Sequence, residues 1–173
     1  MLMSRLTLDA TRRSEAVTVE QNIDTNMPVY GSSLRQQFLK NAQHPTAYNW
    51  NSAWGYTNGV TAANVQDVPH ASGEVAYVVE AYGLSDYWTA GDITALSHTL
   101  TDVVWRADGT YAANVDGSGA GNGVVMDGFE KLGRYSTAIQ QRLQNYTGSM
   151  SDNNYCVIDF YANGALNAKY LGA

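Results

Sequence analysis

What this chain lacks narrows its possibilities before any motif is considered. It has a single cysteine, Cys156, which excludes an internal disulfide framework and a thiolate metal cluster. Ten lysines and arginines stand against sixteen aspartates and glutamates, a net charge of −6, and the cations are scattered apart from the pair Arg12–Arg13. A nucleic-acid partner needs a basic stripe to displace phosphate counterions, so none is expected. No run of about 18 apolar residues is present, as a membrane-spanning helix would require. The opening MLMSRLTLDATRRSE lacks the apolar centre of a secretory signal, so the chain is expected to be water-soluble with no membrane association. There is no HExxH pair, no calcium-loop pattern with its terminal glutamate and no GxSxG turn. The glycine-rich run NVDGSGAGNG lacks the Lys–Ser/Thr pair and preceding strand of a phosphate loop. Neither a metal nor a cofactor is therefore expected.

What is present is enough to fold. Hydrophobic residues make up 45% and charged ones 15% of 173 residues, which fits one domain over 1–173 with a substantial core. Residues 5–22 are polar and only weakly periodic, and 1–28 read as a weakly defined N-terminal segment. Twelve tyrosines and four tryptophans supply side chains that serve cores, sugar-stacking platforms and interfaces alike.

The periodic signals are helical. Ser32–Ser33 followed by Leu34, Phe38 and Leu39 predicts a short helix ending before His44–Pro45. Residues 45–66, PTAYNWNSAWGYTNGVTAANVQ, carry four aromatics without a helical period and read as a long ordered loop. Asp67 caps a helix with Pro69 in its first turn, and Val75, Val78, Val79 and Tyr82 fall at i, i+3, i+4 and i+7 before Gly83. Thr89 and Asp92, at capping-box spacing, open a second helix bearing Ile93, Leu96, Leu100, Val103 and Val104. The short link from Leu84 to Trp88 makes these two an antiparallel hairpin. Residues 106–123, RADGTYAANVDGSGAGNG, form a long glycine-rich loop. Helical signals return over Val124–Leu132 and from Ser136 to about Tyr146, whereas YCVIDFY at 155–161 fits either a strand or a short buried helix. The fold class is thus all-α: antiparallel helical hairpins with long aromatic and glycine-rich loops.

Three polar groups, His70, Glu74 and Tyr77, share one stripe of the first hairpin helix, away from its valines. An imidazole serves as base or acid near neutral pH, and a carboxylate four residues on can orient it. The plain alternative is a solvated helix face. His98, Thr101 and Trp105 sit opposite the apolar stripe of the second helix, where they would be exposed. The glycine-rich loop adds Asp108, Tyr111, Asn114 and Asp116, with glycines that let a ligand approach the backbone closely.

The order Tyr48-Asn49-Trp50, Asp67-Val68-Pro69-His70, YWTAGDITALSHTLTDVVW and NVDGSG resembles the later helical hairpins of (α/α)-toroid carbohydrate-active proteins, among them polysaccharide lyases and uronyl epimerases. The likeness spans about residues 35–146 and is one of pattern rather than of an exact signature. It implies a polysaccharide or oligosaccharide partner and, with it, a secreted or periplasmic setting. For a lyase acting on uronate glycans it implies His70 as base with Glu74 beside it, and Tyr111 as acid. Asn114 would polarise the uronate carboxylate, and Tyr48, Trp50, Trp54 and Asp116 would contact sugar. A complete toroid needs about twice this length. The likeness therefore implies a longer parent chain, assembly with another copy, or a smaller helical domain sharing only the hairpin pattern. Two other functions fit the same residues. One is an inverting hydrolase using Asp67 or Glu74 opposite Asp116; the other is a non-catalytic glycan- or protein-binding module in which His70 merely caps its helix.

Overall fold

A computed structural model describes residues 34–53, 60–83, 88–123, 125, 127–146 and 154–172, together with the single positions 11, 14 and 18. These residues are predominantly helical. The expectations for residues 1–28, for Trp54 and for the 84–87 link lie outside them.

The first described element is one helical turn, α1 (Leu34–Gln37), followed by β1 (Leu39–Lys40) and β2 (Tyr48–Asn49). Helical spacing had carried Leu39 into the helix. Instead the chain leaves the helix at Phe38, and Leu39 and Lys40 pair antiparallel with Asn49 and Tyr48. Two local features force this. Asn41 Oδ1 accepts the Gln43 and His44 amides at 2.9 and 3.1 Å, an Asx turn that reverses the chain. The Phe38 ring then leaves the helical phase to pack on Tyr48, Trp50 and Trp88, at centroid distances of 5.5, 4.7 and 5.8 Å.

Helix α2 (Val68–Tyr82) starts where its sequence signals placed it: the Asp67 side chain accepts the His70 amide, and Pro69 sits in the first turn. Val75, Val78 and Val79 are all at most 1% exposed, the core stripe of this helix. Gly83 closes it with an ordinary right-handed φ of −67°, not the left-handed stop its glycine suggested. Helix α3 (Ala90–His98) opens with both halves of the Thr89/Asp92 capping box formed. Asp92 is buried but fully engaged. It takes the Thr89 amide, the Thr89 hydroxyl, the Tyr48 hydroxyl and Arg35, at 2.6 to 3.1 Å.

Beyond His98 the helix widens into a π-helical segment, Thr99–Val104, closed by the Trp105 amide on the Leu100 carbonyl at 2.8 Å. Next come α4 (Asp127–Lys131), a 3-10 turn Leu132–Arg134, α5 (Thr137–Gln144) capped by Ser136, and α6 (Asn154–Leu171). The 155–161 segment is thus helical and belongs to an 18-residue helix.

One core joins α2, α3, the π segment, α4, α5 and the aromatic cluster around Phe38. Helix α4 presses on α2 at Gly128, where an added Cβ would lie 2.1 Å from the Ala76 nitrogen and 2.2 Å from the Ser72 carbonyl oxygen. Only glycine admits that approach. Helix α6 is held through a buried amide network: Asn167 donates to the Glu130 carbonyl and to Gln140 at 2.8 and 3.0 Å, and Asn163 donates to the Glu130 carboxyl at 2.9 Å. Among the described residues no helix is long and apolar enough to cross a membrane.

Candidate functional site

The glycine-rich loop is an ordered wall. Tyr111 bridges Trp105 on one side and Gly121 on the other, and residues 113–115 pair with 66–68 through Val68–Ala113 and Val115–Gln66 amide bonds of 2.9 and 3.0 Å. Arg106 clamps the far side, donating to the Gly117 and Gly119 carbonyls at 2.7 and 2.5 Å. Gly123 needs its φ of +83°, and a Cβ there would strike the Tyr111 ring at 2.8 Å. This strand-like stitching fastens the loop to the N-terminus of α2 and leaves a groove of about 370 Å³ between them. Asp67, Val68, Pro69, Tyr111 and the segment 120–123 line it.

Asp67, which lines the groove, forms an imidazole–carboxylate dyad with His70, which lies in the first turn of α2 and is not itself a lining residue. His70 Nδ1 lies 2.9 and 2.8 Å from the two Asp67 oxygens, while the ring is 82% exposed. Asp67 therefore caps the helix and orients the histidine at once, with Nε2 turned to solvent. Burial would raise the Asp67 carboxyl, but the His70 amide and ring bonds outweigh it and hold the group below its usual range.

One turn further on, Glu74 behaves oppositely. Burial pushes its carboxyl up to about 7; the Asp67 charge adds to this, and the Trp50 hydrogen bond and His70 offset it in part. Trp50 Nε1 donates to Glu74 Oε2. That carboxyl is poised to take or give a proton near neutral pH, the property acid–base catalysis requires.

The remaining sequence candidates divide. Tyr111 faces the groove, its ring edge on Tyr146 at 6.1 Å, and its hydroxyl makes no hydrogen bond among the described residues. Trp50, expected to stack on sugar, is 1% exposed and enclosed by the core, so its ring offers no face to a ligand; its contribution is the hydrogen bond to Glu74. Tyr48, also expected at the sugar, is a latch: its hydroxyl donates to Asp92 at 2.9 Å, and burial followed by the Asp92 bond raises it to about 12. Asn114 and Asp116 shape the loop. Asn114 Nδ2 donates to the Ser118 hydroxyl at 3.0 Å, and Asp116 Oδ1 accepts the Ser118 amide at 2.8 Å in an Asx turn. Trp54 is outside the described residues. Tyr77 packs against the core edge, and Trp105, expected outside, is 1% exposed beneath the Arg142 guanidinium at 4.4 Å.

Asp67 gave a helix-cap signal that concealed its second role on His70. The Trp50–Glu74 bond spans 24 residues, and no local spacing announces it. Among the described residues no group of three or more His, Cys, Asp or Glu side chains is placed to hold a metal ion. No protein family, curated protein or solved structure matches the chain.

Proposed function

We propose that this chain is a carbohydrate-active domain whose groove beside α2 supports acid–base chemistry on uronate-containing glycans, in the manner of a polysaccharide lyase. The observation that carries the reading is that Asp67, paired with His70, and Tyr111 line one groove, with Glu74 one turn away along α2. With its Nδ1 hydrogen donated to Asp67, His70 keeps a lone pair on Nε2 to remove the proton beside a uronate carboxylate. The electron pair of that C–H bond forms the new double bond, the glycosidic C–O bond breaks, and Tyr111 protonates the departing oxygen. The helices are taken as hairpins of an (α/α) toroid, completed by a second copy or by a longer chain.

The test is to incubate the protein with a panel of uronate polysaccharides and follow the ultraviolet absorbance of the unsaturated product. His70→Ala and Tyr111→Phe should each abolish most of the signal. Absence of absorbance across the panel while the glycans still bind removes the lyase reading and leaves a binding module. Full activity in His70→Ala removes His70 as base.

A second reading, an inverting hydrolase with Glu74 as general acid, is favoured by the raised carboxyl of Glu74, since such an acid must hold its proton near neutral pH. New reducing ends without ultraviolet absorbance, lost in Glu74→Gln, would select it.

A further inference from the structure

A different face of the molecule carries a cavity of about 630 Å³ between α3 with its π extension and the start of α5. It contains the second histidine the sequence singled out. His98 Nδ1 lies 2.6 Å from Asp102 Oδ2, and the Thr101 hydroxyl donates to Asp102 Oδ1 at 2.6 Å. Both carboxylate oxygens are thereby occupied on the helix, and His98 and Thr101 line the cleft in fixed orientations. Tyr82 and Tyr135 also line the cleft, edge to face at 5.2 Å and 73°. Tyr135 is 39% exposed, so part of its ring is open to a ligand.

The chemistry of the wall selects its ligand. Among the described residues no lysine, arginine, aspartate or glutamate lines the cleft, and its one titratable imidazole, His98, is already paired with Asp102, so an ionic ligand finds little counter-charge there. Thr94 and Ser97 spend their hydroxyl hydrogens on the Ala90 and Ile93 carbonyls at 2.8 Å each, and present lone pairs. The rim is thus rich in acceptors, which suits a ligand rich in O–H donors and does not suit a carboxylate or phosphate. Aromatic rings and the side chains of Ala90 and Ala138 supply the complementary apolar surface. A molecule with one C–H face and a belt of hydroxyls satisfies both demands. The π-helical turn beside His98 fits this reading, because such turns recur where a helix is adapted to a site.

We propose that this cleft is a second glycan site that holds an uncharged oligosaccharide segment, with sugar rings against Tyr82 and Tyr135 and their hydroxyls on His98, Thr94 and Ser97. It is separate from the groove that Asp67 and Tyr111 line and does not depend on chemistry there.

The experiment is an amide and histidine-ring NMR titration of the full chain with cello-, manno-, malto- and xylotetraose, and with trigalacturonate as the anionic arm. At least one neutral tetraose should shift His98, Thr101 and Tyr135 together. Tyr135→Ala should weaken that binding about tenfold. Thr94→Trp, which fills the cleft from an exposed position, should abolish it with the remaining spectrum unchanged. No shift with any neutral tetraose, shifts confined to the groove around Tyr111, or equal cleft binding by trigalacturonate would each overturn the proposal. Loss of lyase activity with cleft binding intact would bear on the groove alone.

Discussion

Replacing Glu130 by glutamine should make the protein more stable at pH 8 while leaving it nearly unchanged at pH 5. Glu130 is 1% exposed; Oε2 accepts Asn163, and Oε1 meets no donor among the described residues. Burial raises its carboxyl from 4.5 to about 8, the Asn163 bond pulls back against this, and the Asp159 and Asp127 charges add to it. The folded protein therefore keeps the proton over a range in which the unfolded chain has lost it. Below pH 4.5 both states are protonated and the group is neutral towards folding. As the pH climbs to about 8 the unfolded state alone gains by ionising, and stability falls; above that the cost is constant. At about 1.4 kcal/mol per pH unit the span corresponds to roughly 5 kcal/mol, an upper bound that relaxation and water entry reduce to about 2–4 kcal/mol. Glutamine keeps the shape and can donate towards Asp159 as the protonated acid does, but it does not ionise. Urea unfolding of both proteins at pH 5, 7 and 8.5 reads the difference directly. Comparing the two proteins cancels Glu74, whose carboxyl is also raised. Equal slopes of stability against pH, or a glutamine variant weaker at every pH, would refute the reasoning.

Three further perturbations probe separate parts of the fold. Gly128→Ala should prevent α4 from seating on α2 and cost several kcal/mol or abolish cooperative unfolding, read by thermal melts, because the clashing atoms are backbone. Thr89→Ala removes the reciprocal cap of α3 and should lower stability by about 0.5–2 kcal/mol in urea titrations without changing the fold by circular dichroism. Trp50→Phe deletes the donor that lowers Glu74, so the Glu74 carboxyl should titrate above its present value of about 7 in carbon-detected NMR; an unchanged midpoint would deny the bond its role.

Where the deciding interactions are local, the sequence predicts the structure well. The Asp67 and Thr89 caps and the valine stripe of α2 act within one or two turns, and their elements form where spacing places them. Trp105 shows how the same reasoning fails. A constant angular step puts it on the outer face, but the π segment adds a residue to its turn, so the phase drifts and the indole arrives inside. Leu39 shows another failure, where the Asx turn at Asn41, four residues before Pro45, takes precedence over helical spacing. At 155–161 the strand-forming side chains are overridden by Asn163 and Asn167, whose four-residue spacing serves the buried amide network only on a helix. The candidate site was half legible. His70, Glu74 and Tyr111 could be named from chemistry and spacing, whereas the burial of Trp50 and the latch role of Tyr48 depend on contacts across 24 and 44 residues.

The stitched loop beside α2 has a consequence for how such a surface can change. Its wall is main chain, pinned by amide bonds to residues 66–68 and by the Arg106 clamp, and few of its residues project large side chains. Its contour is accordingly insensitive to most side-chain replacement. A side chain exchanged at 120 would retune the groove while the trough keeps its shape. The glycines and Arg106 act as the mould.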